Sequence, residues 1–87
     1  MKLMLDISMY PLQEDYIPPI DAVIAKLNSY EGVKVQTYAT ATTVFGDYEK
    51  VMDILRDTLS WSYRQYGKSV FVARLIPGYE LEAESKS

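Results

Sequence analysis

The chain has 87 residues, 48% of them hydrophobic, with 9 basic against 12 acidic side chains and a net charge of −3. It contains no cysteine and no histidine, which excludes disulfides, thiol nucleophiles, zinc sites of the common Cys/His kind and any Ser–His relay. A nucleic-acid binder would carry a basic patch or stripe, yet only Lys2, Lys26 and Lys34 precede residue 50.

Leu3, Leu5, Ile7 and Met9 alternate with Met4, Asp6, Ser8 and Tyr10, the period-2 pattern of a strand with one strongly apolar face. Pro11 ends it, and Gln13 to Tyr16 form a polar connection. Pro18 and Pro19 suit the entry to a helix, where a missing N–H costs least. Ile20, Val23, Ile24 and Leu27 follow helical spacing, and Asn28, Ser29 and Gly32 close that helix. Val33, Val35 and Thr37 alternate with Lys34, Gln36 and Tyr38 as a second strand. Ala39 to Ala41 hold the reversal, without an Asn-Gly pair to mark it, and Ala41 to Phe45 form the third strand.

Gly46 and Asp47 read as a capped turn into a helix. The glycine would supply backbone angles closed to other residues. The aspartate would accept hydrogen bonds from the first unpaired N–H groups. The second helix runs from about Tyr48 to Tyr66. Its apolar stripe is Val51, Met52, Leu55, Leu59 and Tyr63, with Ile54 at the margin and Trp61 off it. Gly67 stops it. Ser69 to Ile76 is the fourth strand, ended by Pro77-Gly78. One domain is expected over 1–78, followed by an acidic, partly disordered tail over 79–87.

The order βαββαβ describes an α+β ferredoxin-like sandwich, a four-stranded antiparallel sheet with two helices on one face. Right-handed crossovers place both helices on the same side, so the other face of the sheet is bare. That face would carry Asp6, Ser8 and Tyr10 from the first strand, Gln36 and Tyr38 from the second, and Thr43 and Phe45 from the third. In the fourth strand either Phe71, Ala73 and Leu75 or Val70, Val72 and Arg74 face outward. Both sets are substantially apolar. A face of this kind is expected to meet another sheet, a ligand, or both.

Asp6 has two readings: a solvated or interface carboxylate, or an acceptor for a cationic or amino-bearing ligand. Tyr10 and Tyr38 could stack on a flat ring while their hydroxyls hydrogen-bond, or pack in a dimer. Thr37, Thr40, Thr42 and Thr43 supply hydroxyls, and β propensity accounts for at least half of them. Gly46-Asp47 is no phosphate loop, because one glycine is not a nest of N–H groups and the acid repels phosphate. No pair of acid–base groups stands at a diagnostic spacing. Acylphosphatases share the expected fold, but their Arg-bearing phosphate loop is missing here. RNA-recognition modules share it too, but their basic-aromatic strands are missing.

Three segments carry a family resemblance. MLDISMYPL, Met4 to Leu12, resembles the first strand of YkoF-like thiamine-binding domains, with a small polar residue and then a YPL-type ending. TTVFGDYEKVMDIL, Thr42 to Leu55, resembles their third strand and second helix, and KSVFVARLIP, Lys68 to Pro77, their last strand. Order and spacing together carry the likeness over residues 3 to 78. It implies a ferredoxin-like domain that binds thiamine or its hydroxymethylpyrimidine part between the sheets of neighbouring domains. With one domain and no internal repeat, a partner copy must supply the second sheet.

The expectation is therefore a non-enzymatic small-molecule binder, without catalytic residues, metal or cofactor. Its ligand-binding residues are Asp6, Ser8, Tyr10, Gln36, Tyr38, Thr43 and Phe45, and it assembles as a homodimer or homotetramer. A short chain buries a modest fraction of its surface, which also favours self-association. MKLMLDISMY is broken by Asp6, and no segment approaches the roughly 20 apolar residues of a membrane span. A cytoplasmic place is expected, with neither membrane nor nucleic-acid partners. The rivals are a dimeric α+β barrel-type enzyme, such as a cofactor-free oxygenase or isomerase, and a purely structural or regulatory interaction module.

Overall fold

The computed structural model describes residues 1–79. The elements are β1 (Lys2–Pro11), α1 (Ile17–Asn28), β2 (Lys34–Thr37), β3 (Thr42–Asp47), α2 (Tyr48–Tyr66) and β4 (Ser69–Pro77). The strands form one sheet in the order β2-β3-β1-β4, and every neighbouring pair is antiparallel. This is the expected ferredoxin-like βαββαβ arrangement. The acidic tail lies outside the described residues, apart from Tyr79. No helix among the described residues is long and apolar enough to cross a membrane.

Register assigns the faces, because residues directly opposite in an antiparallel pair point the same way. Leu5 stands opposite Val44 and Leu75, and Val44 opposite Val35. Leu3, Leu5, Ile7 and Val44 form one buried cluster with Val23 and Leu27 of α1 and Val51 and Ile54 of α2. Asp6 stands opposite Thr43 and Arg74, and Thr43 opposite Gln36. This second set faces away from the helices. The fourth strand is thereby resolved. Phe71, Ala73 and Leu75 share the helix side with Leu5, while Val70, Val72, Arg74 and Ile76 lie on the bare side.

Three local expectations change. The buried residues of α2 are Val51, Ile54, Thr58 and Ser62, while Leu59 and Tyr63 are exposed. The second half of α2 thus turns two small hydroxyl side chains inward. Leu59 and Tyr63 instead border a shallow groove with Leu12 and Phe71. Gly46 has no positive φ. It belongs to β3, where a Cβ would stand 2.7 Å from Val33 Cγ1. Space rather than backbone angle calls for glycine.

Asp47 occupies the N-cap position of α2, but its carboxylate makes no capping bond. It accepts from Lys2 Nζ at 2.8 Å instead, and that lysine holds the carboxyl below its ordinary range. The two helices are clamped at their outer surface. The Tyr30 hydroxyl donates to the Asp57 carboxylate, and Lys26 Nζ lies 3.2 Å from the same carboxylate. Lys26 also sits over the rings of Tyr30 and Trp61, at 5.0 and 5.4 Å. The hydrogen bond from Tyr30, then Lys26, holds Asp57 below the usual carboxylate range. Contact with the Tyr30 hydroxyl, then Asp57, raises Lys26 against the cost of its desolvation.

Candidate functional site

The strands have unequal lengths, and the site follows from that. The pairing of β1 with β3 ends at Ile7 and Thr42, while β1 continues beside β4 to Pro11 and Ser69. From Ser8 onward the β3 side of β1 has no strand partner. The chain there reverses through Ala39 and Thr40, with Tyr38 N–H donating to the Ala41 carbonyl at 2.7 Å. Neither loop residue adopts a positive φ, so the turn is not one of the primed types that match strand twist. The hairpin diverges from β1, and a cavity of about 440 Å³ opens between β1, the hairpin and α1.

Its walls are apolar. Ile7, Met9 and Phe71 come from the helix side of the sheet, and Ile20, Val23 and Ile24 from α1. Exposed tyrosines stand around it from three segments: Tyr10 on β1, Tyr16 before α1 and Tyr38 at the hairpin. Hydroxyls supply the polar atoms. Ser8 Oγ donates to the Thr40 carbonyl at 2.7 Å, tying the hairpin tip to β1. Thr37 Oγ1 and Thr42 Oγ1 are 3.2 Å apart. Among the described residues, the lining contains no charged side chain. Its volume lies within the roughly 300–1,000 Å³ of small-molecule sites, and apolar walls with a few placed polar groups are their usual chemistry.

The seven residues singled out from sequence fall into two groups. Ser8, Tyr10 and Tyr38 line the cavity. Asp6, Gln36, Thr43 and Phe45 do not. Asp6, Thr43 and Gln36 form a row across β1, β3 and β2 on the bare face. The Asp6 carboxylate accepts from Arg74 Nη2 at 2.7 Å. Phe45 lies opposite Met4 and Lys34, with its ring edge-on to Tyr79 at 6.0 Å. Tyr38 spans the groups, since its hydroxyl donates to Gln36 Oε1 at 3.0 Å.

From sequence, Ile20 and Ile24 fall on the helical spacing of the first helix and Tyr16 in a polar connection, and none of the three is marked for the site. The usable signal was the mismatch between a ten-residue β1 and a six-residue β3, which leaves one end of β1 uncovered. A second signal was Tyr16-Ile17, two large exposed side chains where α1 begins.

The sequence matches the model of the YkoF-related family over residues 3–71, and the chain belongs to that family. A protein of Streptococcus pneumoniae superposes with a TM-score of 0.85 at 25% identity, over 99% of this chain and 97% of that one. A candidate thiamine biosynthesis/salvage protein of Thermotoga maritima gives 0.83 at 26% identity, over 99% and 98%. A protein of Methanocaldococcus jannascii has the same fold at a TM-score of 0.75 and 19% identity, over 99% and 98%. No curated protein matches the chain.

Proposed function

We propose that this chain is a non-enzymatic binding protein for thiamine or its hydroxymethylpyrimidine part, with the pyrimidine ring held in the cavity beneath α1. The observation that carries this reading is the lining: aliphatic walls, tyrosines from three segments at the opening, and hydroxyls. A flat aminopyrimidine stacks on such rings and hydrogen-bonds to such hydroxyls. Tyrosine faces also accept the thiazolium cation of thiamine. Family membership supports the same class of ligand, as does the likeness to the Thermotoga protein.

Ser8, Tyr10 and Tyr38 are the proposed contacts. Asp6, Gln36, Thr43 and Phe45 are assigned to a face covered by a second copy of the chain. Val70, Val72 and Ile76 are exposed on that face and flank an ion pair that is already neutral. The centre of the face, at Asp6 and Arg74, can therefore meet its own copy without charge repulsion, while exposed Lys34 stands on the edge strand β2 opposite Phe45. A homodimer or homotetramer follows, and sedimentation at micromolar concentration reads it. A monomer of about 10.0 kDa would remove the second copy from the proposal.

Titration calorimetry with thiamine and with hydroxymethylpyrimidine tests the ligand. Saturable heat with either is expected, and Tyr38→Ala should lower affinity about tenfold through loss of a ring wall. No heat and no thermal shift at millimolar ligand would sink this reading.

A further inference from the structure

Among the described residues the cavity is lined by no charge of either sign, and exposed acids stand near its α1 end. We infer that the site accepts its ligand only in the unphosphorylated form and rejects the phosphate ester; this rests on the function proposed above. A phosphate monoester carries about −1.5 to −2 charges at pH 7 and three strong acceptor oxygens. A protein meets that charge with Arg or Lys, or with the unpaired N–H groups of a helix start. Among the described residues the lining offers no Arg or Lys, and the helix start beside it is poor in N–H groups.

Among the described residues, no Lys or Arg lines the cavity. Four of the eight basic side chains among the described residues are paired with acids, Lys2 with Asp47, Lys26 with Asp57, Arg56 with Asp53 and Arg74 with Asp6; Lys34, Lys50, Arg64 and Lys68 lie outside the lining, Lys68 bordering the neighbouring groove that shares Phe71. The helix that roofs the cavity, α1, begins at Ile17, and its next two residues are Pro18 and Pro19. Neither proline has an N–H, and the Ile20 N–H already donates to the Tyr16 carbonyl. The start of α1 thus keeps the Ile17 N–H alone of the three donors that its first three positions would otherwise offer an anion. The neighbouring acids, Glu14, Asp15 and Asp21, are exposed and add repulsion.

An ester entering this site would shed water from its charge and find hydroxyls and tyrosine rings in return. An unpaired charge in such surroundings costs several kcal/mol, which is at least about a 100-fold loss of affinity relative to the alcohol. The site therefore discriminates by what it lacks. Its ligand is the species on the alcohol side of a phosphoryl transfer.

Calorimetry on the full chain tests this with four probes: hydroxymethylpyrimidine, its phosphate monoester, thiamine and thiamine diphosphate. The alcohols should bind at least about 100-fold more tightly than the esters. Tyr16→Arg places a guanidinium at the rim from an exposed position and should narrow that ratio by about tenfold. Esters that bind as tightly as the alcohols, or more tightly, would overturn the inference and leave the proposed function standing. A ratio unmoved by Tyr16→Arg would also count against it, because the ester would then be excluded somewhere other than this rim. Silence from all four probes would remove the function itself and this inference with it.

Discussion

Asp6 and Arg74 stand directly opposite each other across the β1–β4 pairing, and the carboxylate accepts from the guanidinium at 2.7 Å. The Arg74 side chain is 76% exposed and that of Asp6 is 25% exposed. A pair this wet contributes about 0.2–1 kcal/mol to stability. Its larger consequence is for recognition, because a carboxylate already answered within its own chain, and absent from the cavity, is a poor candidate for a ligand contact.

Asp6→Asn should therefore leave the affinity for thiamine or hydroxymethylpyrimidine within about threefold of the parent. Arg74 then lacks its charged partner on the sheet face, and the proposed oligomer should dissociate at a higher protein concentration than the parent. A 10- to 100-fold fall in thiamine affinity, the size of a lost charged hydrogen bond of about 1.5–3 kcal/mol, would move the ligand from the cavity to the sheet face.

The strands were legible because alternation is a property of each segment alone. Leu3, Leu5 and Ile7 against Met4, Asp6 and Ser8 determine the face of β1 wherever it pairs. The face of β4 was not legible, since Val70 to Ile76 is apolar at nearly every position and only the register with β1 separates the two sets. The inward turn of α2 was hidden for a related reason. Thr58 and Ser62 are fully buried, although a hydropathy stripe favours Leu59 and Tyr63. The cavity was least legible. It arises where β3 stops short of β1, and its walls come from segments joined only by tertiary packing.

The hairpin over the cavity is tied to β1 by the hydrogen bond from Ser8 Oγ to the Thr40 carbonyl. A bond of this kind contributes about 1 kcal/mol net. Ser8→Ala should release the tip while leaving the buried cluster intact. The Tyr38 amide, which donates to the Ala41 carbonyl, is the natural reporter. Its hydrogen exchange should speed up about fivefold, with β1 core amides unchanged. Equal exchange in parent and variant would mean that the tip is held by its other contacts and that Ser8 is no latch.

Gly46 faces Val33 with no room for a methyl group, since its Cβ would come within 2.7 Å of Val33 Cγ1. Valine is stiff at χ1 and cannot swing aside cheaply. Gly46→Ala should cost about 1–3 kcal/mol by urea unfolding, the range for overpacking. Val33→Ala opens the space, so the double variant should be more stable than the sum of the two single effects by about 1 kcal/mol. Strict additivity would refute the clash. A stabilised Gly46→Ala would show the opposite, that only the entropy of the unfolded chain had changed.

Asp57 makes the helix clamp sensitive to acid. Its folded carboxyl lies below the ordinary value, first because the Tyr30 hydroxyl donates to it and then because Lys26 stands beside it. A depressed folded pKa binds protons more weakly than the unfolded chain does. The stability it brings is thus fully present above about pH 4, the unfolded carboxylate range, and is lost as pH falls through the folded value. Lys26 runs the other way. Its raised folded value adds stability that is present below about pH 10.4 and is lost as pH climbs through it. Both limbs belong to one exposed cluster and are screened by salt. Thermal unfolding followed from pH 7 down to pH 3 should fall less steeply in Asp57→Asn and in Tyr30→Phe than in the parent. Part of the acid slope should persist in both variants, because Asp47 is depressed by Lys2 in the same sense. If Asp57→Asn keeps the full acid slope, proton uptake lies with other carboxylates and the clamp contributes nothing that pH can reach.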